Sequence, residues 1–146
     1  MTRALAVASL AALSLAACGS SSLSAQQLRS RSSPPCRIAT RELDRVPTPT
    51  SPAGEAEFLK RGIAALAPEL RALRGLQPPS QLTHDFSIAL RAGSAELAAL
   101  RQSARRLATG GDPVVSIKEL ELRLAPPEAE ANSAWTSLGI PACLTR

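Results

Sequence analysis

The sequence is poor in the residue types that most catalytic and metal sites use. It has one histidine, one methionine, one tryptophan, two phenylalanines and no tyrosine among 146 residues. Its three cysteines form no Cys-x-x-Cys motif. Zinc and copper sites therefore lack ligands unless carboxylates from distant segments converge. We predict no metal ion and no cofactor.

Groups with the spacing of a catalytic site are also scarce. The single histidine, His84, adjoins Asp85, and neighbours on a helix point about 100° apart, so Asp85 is badly placed to orient the ring. A solvent-facing polar pair is the better interpretation. Lys60 and Lys118 each adjoin another charged residue, whereas a Ser/Lys nucleophile needs a desolvated lysine. We predict that the chain is not an enzyme.

No apolar run is long enough to cross a membrane. The longest, from Ala4 to Ala17, has 14 residues, and a transmembrane helix needs about 20. This run follows Arg3 and the amino terminus, an arrangement typical of an export signal that is later removed. Export makes nucleic acid an improbable partner, although the formal net charge is +5.

The end of this run, Leu15-Ala16-Ala17-Cys18, resembles the lipobox of bacterial lipoproteins. The resemblance implies cleavage before Cys18, lipidation of its thiol with palmitate-type chains, and anchoring to the outer face of the cytoplasmic membrane. An ordinary signal peptide cleaved after Ala25 is the alternative.

Three regions follow from these patterns. Residues 1–17 are the predicted lipoprotein signal peptide, and residues 18–35 are the lipidated cysteine and a serine-rich, disordered tether without apolar periodicity. Residues 36–146 are the predicted helical domain. A basic cluster lies near the anchor: Arg29, Arg31, Arg37, Arg41 and Arg45. It is either an ordinary solvated segment or a site of attraction to anionic lipid.

Helical periodicity dominates the remaining chain, and no useful length alternates like a strand. A short helix is expected at 36–46, followed by three long apolar stripes. The stripes contain Leu59, Ile63, Leu66, Leu70 and Leu73; Leu82, Phe86, Ala89, Gly93, Leu97, Leu100, Ala104 and Leu107; and Ile117, Leu120, Leu124, Ala131, Trp135 and Leu138. The pattern predicts an all-α, small up-down helical bundle with three long helices and a short N-terminal helix.

The helix boundaries follow from capping residues and prolines. Ser51 and Asp112 are N-cap candidates, each followed by proline, and Gly139 before Ile140-Pro141 is a stop. Because proline removes a backbone donor, Pro68 is expected to kink the first long helix, and 126–127 to divide the third into two half-helices.

A disulfide between Cys36 and Cys143 is predicted. With Cys18 taken by lipid, two cysteines remain in an oxidising compartment. Three antiparallel helices bring residue 143 to the far end of the first long helix, and a helix at 36–46 plus the proline-rich connector can return Cys36 to that end. Two free buried thiols are the alternative.

The expected role is non-enzymatic. Trp135 and Phe86 lie on apolar stripes, which favours core packing over a stacking platform for sugars. The segments LRGLQPP (73–79) and LGIPAC (138–143) resemble small Ala/Leu/Arg-rich helical lipoproteins of high-GC actinobacteria, whose function is unknown. We expect a binding or scaffolding module for an envelope protein or polymer. The alternative is a carrier of a small apolar ligand or lipid between the helices, which a continuous cavity above about 300 Å³ would favour.

Overall fold

The computed structural model describes residues 22–144, where helices and turns account for the fold and no strand occurs. The four α-helices are α1 (Ala25–Asp44), α2 (Glu55–Arg74), α3 (Thr83–Ala108) and α4 (Pro113–Leu138). Short 3₁₀ turns lie at Pro52–Gly54, Ser80–Leu82 and Pro141–Cys143. The predicted all-α bundle is confirmed. The signal peptide and Cys18 lie outside the described residues. Within them, no helix has the length and hydropathy of a membrane span.

The helices pack in chain order. α1 packs on α2, α2 on α3 and α3 on α4, while α1 also contacts the C-terminal turn Pro141–Cys143. Short loops make successive helices antiparallel. By contrast, α1 and α4 scarcely touch each other. A gap therefore remains between α1 and α4, and the C-terminal turn closes one end of this gap.

The first helix is longer than predicted: residues 25–35, which were assigned to the disordered tether at 18–35, belong to α1. α1 begins at Ala25, and a capping box starts it: Ser24 Oγ accepts from the Gln27 backbone N–H, and Gln27 Oε1 accepts from the Ser24 N–H. The Leu23 N–H also donates to the Gln77 carbonyl at 2.8 Å. The helix docks through a narrow buried stripe of Leu28, Ser32, Cys36 and Ala39. Too little of this stripe is strongly apolar to register as helical periodicity.

Interior prolines do not break the helices. The prediction of two half-helices around 126–127 is therefore wrong, and α4 is continuous. Likewise, α2 continues through Pro68. The helices tolerate these prolines because the carbonyl groups that lose a hydrogen bond belong to exposed residues. Each interior proline deprives the carbonyl four residues earlier of its usual donor, and all five of those residues are exposed: Ser30, Arg31, Ala64, Leu122 and Arg123. Water can reach such carbonyls, which lowers the cost of the missing donor.

The predicted ends of α4 are confirmed. Asp112 Oδ1 accepts from the Val115 N–H at 2.9 Å, and Pro113 is the first helical residue. Gly139 ends the helix in the left-handed region, with φ 68°, where glycine is favoured. The other predicted cap is different: Ser51 precedes the Pro52–Gly54 turn without a side-chain hydrogen bond, and α2 starts at Glu55.

Apolar packing is divided into two clusters along the bundle axis. The larger one surrounds Trp135, Phe86 and the Cys36–Cys143 pair, near the start of α1 and the end of α4. The smaller one is built on Leu59, Ala104 and Leu120, towards the other end. The sequence-predicted stripes supply the buried residues of the smaller cluster but fewer than half of those of the larger one, which also takes residues from α1 and the C-terminal turn. The middle of the bundle, between the clusters, contains the polar features described next.

Candidate functional site

The predicted disulfide is present. Cys36, in the middle of α1, is bonded to Cys143 in the C-terminal turn, with 5.0 Å between their Cα atoms and 107 residues between them in sequence. Both cysteines are buried. Close by, Arg29 Nε donates to the Leu138 carbonyl at 2.9 Å. The amino-terminal helix is thus fastened to the end of the chain by a covalent bond and a hydrogen bond.

A buried carboxyl group lies beside this disulfide. Glu69 on α2 is 4 % exposed, and one of its carboxylate oxygens lies within 4.8 Å of both cysteine sulfurs. Two cysteines and a carboxylate could in principle be metal ligands, but metals bind the thiolate. While Cys36 and Cys143 are joined to each other, these sulfurs are not thiolates.

A cleft occupies the gap between α1 and α4. It has a volume of about 220 Å³ and lies where the two apolar clusters meet. All four helices and the C-terminal segment line it: Leu43, Leu66, Glu96, Leu100, Leu124, Glu128, Ala131, Asn132, Cys143 and Leu144. Half of these ten residues are leucines. The cleft is smaller than the roughly 300 Å³ expected of a carrier for a drug-sized ligand.

Behind the cleft is a small recess that shares two wall residues with it, Leu66 and Glu96. Glu96 is 6 % exposed. Glu69 and Trp135 also line the recess, and the Trp135 Nε1 is buried with no hydrogen-bond acceptor in reach among the described residues. Two carboxyl groups on neighbouring helices therefore lie inside the bundle and line one recess together with Trp135.

Sequence reasoning missed both glutamates, although a signal was available. Glu69 lies three residues after Leu66 and four before Leu73, and Glu96 lies three after Gly93 and four before Leu100. Each therefore lies in phase with a buried apolar stripe. Glutamate is rarely buried in a protein core, so a glutamate at such a position indicates a special role.

α4 carries a second apolar stripe on its outer side. We call it the outer stripe of α4; it comprises Val115, Leu122, Pro126 and Ala129, spaced by seven, four and three residues. All four are exposed, with Leu122 at 71 % and Val115 at 46 %. They lie opposite the buried side of α4, which includes Leu120, Ala131, Trp135 and Leu138. The missing proline donors also leave the Leu122 and Arg123 carbonyls on this side available as acceptors.

The other residues considered in the sequence lie apart from these features. His84 is exposed in the first turn of α3, and Lys60 and Lys118 are exposed on different helices. Trp135 and Phe86 pack edge to face in the larger cluster, with 6.0 Å between ring centroids, so they form core and not a sugar platform. The five arginines of the basic cluster are exposed along α1.

No family model, curated protein or solved structure matches this chain.

Proposed function

We propose that the protein is an exported lipoprotein, anchored through Cys18 to the outer face of the cytoplasmic membrane, that acts as a non-enzymatic binding module for another envelope protein. The observation that carries the proposal is the outer stripe of α4. A helix that is apolar on both sides has a face that still lacks a partner.

The chemistry of the stripe favours a protein over the other occupants. Envelope polysaccharides are recognised by polar groups and aromatic rings, and the stripe has neither. A membrane-surface helix has basic flanks, whereas each side of this stripe has one basic and one acidic residue: Lys118 and Glu121 on one side, Glu119 and Arg123 on the other. The stripe presents aliphatic residues, two carbonyl groups that can accept hydrogen bonds and charges of both signs. This combination suits contact with a helix of another protein.

The position of the stripe fits a membrane-tethered module. Only four residues lie between Cys18 and Leu23, whose backbone is hydrogen-bonded to the bundle, so the anchor lies within about 17 Å of it. The end of the bundle that contains Leu23 and the C-terminal turn would thus stay near the lipid. The stripe begins at the opposite end, because α4 runs about 39 Å from Pro113 to Leu138. Its residues are therefore presented away from the membrane.

Photo-crosslinking in native envelopes tests the docking face. A benzoylphenylalanine at position 122 should give one discrete adduct, and Val115→Glu in the same chain should abolish it, because a charge would then be buried in the interface. Position 38 is the matched control, since Ile38 is also an exposed aliphatic residue, at 51 %, but lies on α1. Adducts of equal yield from both positions, or none from position 122, would refute the docking face. An adduct of twice the chain mass would assign it to a second copy.

Lipidation is tested separately. Metabolic labelling with an alkyne fatty acid should mark the wild-type protein and leave Cys18→Ser unlabelled, because only the thiol can form the thioether. The variant should also be lost from the membrane fraction, because residue 18 would carry no acyl chains to anchor it. Label retained by the variant, or a mature amino terminus at Gln26, would contradict the lipobox interpretation.

A further inference from the structure

Two buried carboxyl groups, one from α2 and one from α3, line the same recess. Glu69 and Glu96 are both more than nine-tenths buried, and the recess has a volume of about 10 Å³. A space of this size holds about one water molecule, whereas a single ionised carboxylate has about four acceptor sites of its own. The recess therefore has no room for the hydration of two carboxylates.

The surroundings of the recess disfavour charge. Apart from the two glutamates and the Trp135 indole, its lining is apolar: Leu66, Leu70, Leu73, Ala89, Gly93 and Leu97. One Glu69 oxygen also lies within 4.8 Å of the sulfurs of the Cys36–Cys143 disulfide. Burial in such surroundings disfavours the charged form of a carboxyl group, and a second carboxylate nearby disfavours it further. Two ionised glutamates in this recess would meet both penalties at once.

The elements that pack around the recess and the cleft contribute no basic residue to either lining. α1 and the C-terminal turn place Cys36 and Cys143 beside Glu69, but these cysteines do not ionise while they are joined. α2 and α3 contribute no charge besides the two glutamates, and α4 contributes Trp135 to the recess and Glu128 to the cleft. Glu128 is exposed and acidic. The ionisable groups of the two linings therefore repel one another when they are charged.

We propose that Glu69 and Glu96 form a pH-sensitive contact between α2 and α3: at least one of them is a neutral acid at neutral pH, and loss of its proton opens the recess. The cleft is the side on which it opens, because Leu66 and Glu96 line both spaces and water therefore enters the recess from the cleft. This device goes beyond the docking face of α4 and the lipid anchor, and it depends on neither.

A retained proton makes stability depend on pH in a defined direction. An unfolded chain loses the proton of a glutamate near pH 4.3, whereas the closed recess keeps one proton to a higher pH. The folded state then binds more protons than the unfolded state, so the stabilising contribution is complete below about pH 4.3 and is lost as pH rises. For one proton, the folding equilibrium constant falls by up to about tenfold per pH unit until the folded state also releases it.

Infrared spectroscopy at about pH 7 tests the protonation directly, because exposed carboxyl groups are ionised there. The protein is the mature chain with the disulfide intact and Cys18→Ser in place of the lipid attachment site. It should show the carbonyl band of a protonated carboxylic acid. Glu69→Gln combined with Glu96→Gln should remove this band, and Glu121→Gln, an exposed glutamate on α4, should leave it. A parent without the band, or a band that survives in the double variant, would overturn the proposal.

Urea denaturation from about pH 5 to about pH 8 tests the coupling to stability. The folding equilibrium constant of the parent should fall at least about tenfold, which corresponds to one pKa unit on one group. The double glutamine variant resembles the fully protonated pair in size and charge, so it should show no such fall and should be more stable than the parent at the alkaline end. Equal pH dependence in the parent and the double variant would refute the assignment.

Two controls separate this effect from other ionisable groups. Glu121→Gln and His84→Gln should both keep the pH dependence of the parent. The second control is needed because His84 is the only histidine and histidine titrates in the same pH range. A pH dependence that disappears in either control would place its origin outside the recess and overturn the proposal.

The fluorescence of Trp135 reports the opening itself. Trp135 is the only tryptophan, is buried and lines the recess. Without urea, quenching of this fluorescence by acrylamide should increase in the parent between about pH 6 and about pH 9, since loss of the proton admits solvent. The double glutamine variant should show the same low quenching at both values. Quenching that does not change with pH in the parent would refute the opening.

Discussion

Replacing Cys36 and Cys143 together with alanine is expected to lower the free energy of unfolding by about 2 to 5 kcal/mol. The disulfide closes a loop of 107 residues, and the chain-entropy model gives about 4.7 kcal/mol for a loop of that order. Alanine is the better replacement because both positions are buried and a serine hydroxyl there would need a hydrogen-bond partner. Urea denaturation followed by circular dichroism measures the change.

The loss should be greatest in α1. Its buried stripe has only one large apolar residue, Leu28, and its remaining ties include the Arg29 hydrogen bond to the Leu138 carbonyl. Without the disulfide, the amide protons of 25–44 should exchange faster than those of α3. Cys18→Ser is the control, because Cys18 is outside the disulfide. A double variant within about 1 kcal/mol of the parent would show that helix packing alone holds α1.

The three longer helices could be predicted because their signals are local. Apolar residues recur every three or four positions, and Asp112 and Gly139 have the side chain and the backbone freedom that helix ends require. The disulfide was predictable for a related reason: helix lengths fix where chain ends meet, and only two cysteines remained once Cys18 was assigned to lipid. Local rules were sufficient wherever a residue's role depended on neighbours in sequence.

The first helix could not be predicted in full because its stabilising contacts come from far away in sequence. Ser32 and Cys36 are buried in α1, but neither marks an apolar stripe by itself, and Leu138 and Cys143 are more than 100 residues away. One local signal was present: Ser24 and Gln27 have the spacing of a capping box. The serines and prolines that follow suggested disorder more strongly.

The cleft was invisible to sequence reasoning for a geometric reason. It exists because α1 and α4 make few contacts with each other, and periodicity indicates which side of a helix is buried but not which helix covers it. The same limit applies to Glu96 and Glu69. Their positions in phase with apolar stripes could be read from the sequence, but their approach to the cleft and to the disulfide depends on how three helices are arranged.

Trp135→Ala is expected to cost about 3 to 5 kcal/mol of stability. Trp135 is 1 % exposed and is the only tryptophan in the chain. Its neighbours around the recess include Ala89 and Gly93, which are too small to fill the space that the indole leaves. The cost of a large-to-small substitution grows with the cavity that remains, so this position should lie at the upper end of the range.

A comparison with Trp135→Phe separates burial from hydrogen bonding. The indole Nε1 has no acceptor in reach among residues 22–144, so phenylalanine removes a buried donor without breaking a bond, and it can keep the edge-to-face contact with Phe86. We expect Trp135→Phe to cost less than half as much as Trp135→Ala in urea denaturation. Equal losses would show that the Nε1 is hydrogen-bonded in solution, for instance to a water molecule in the recess.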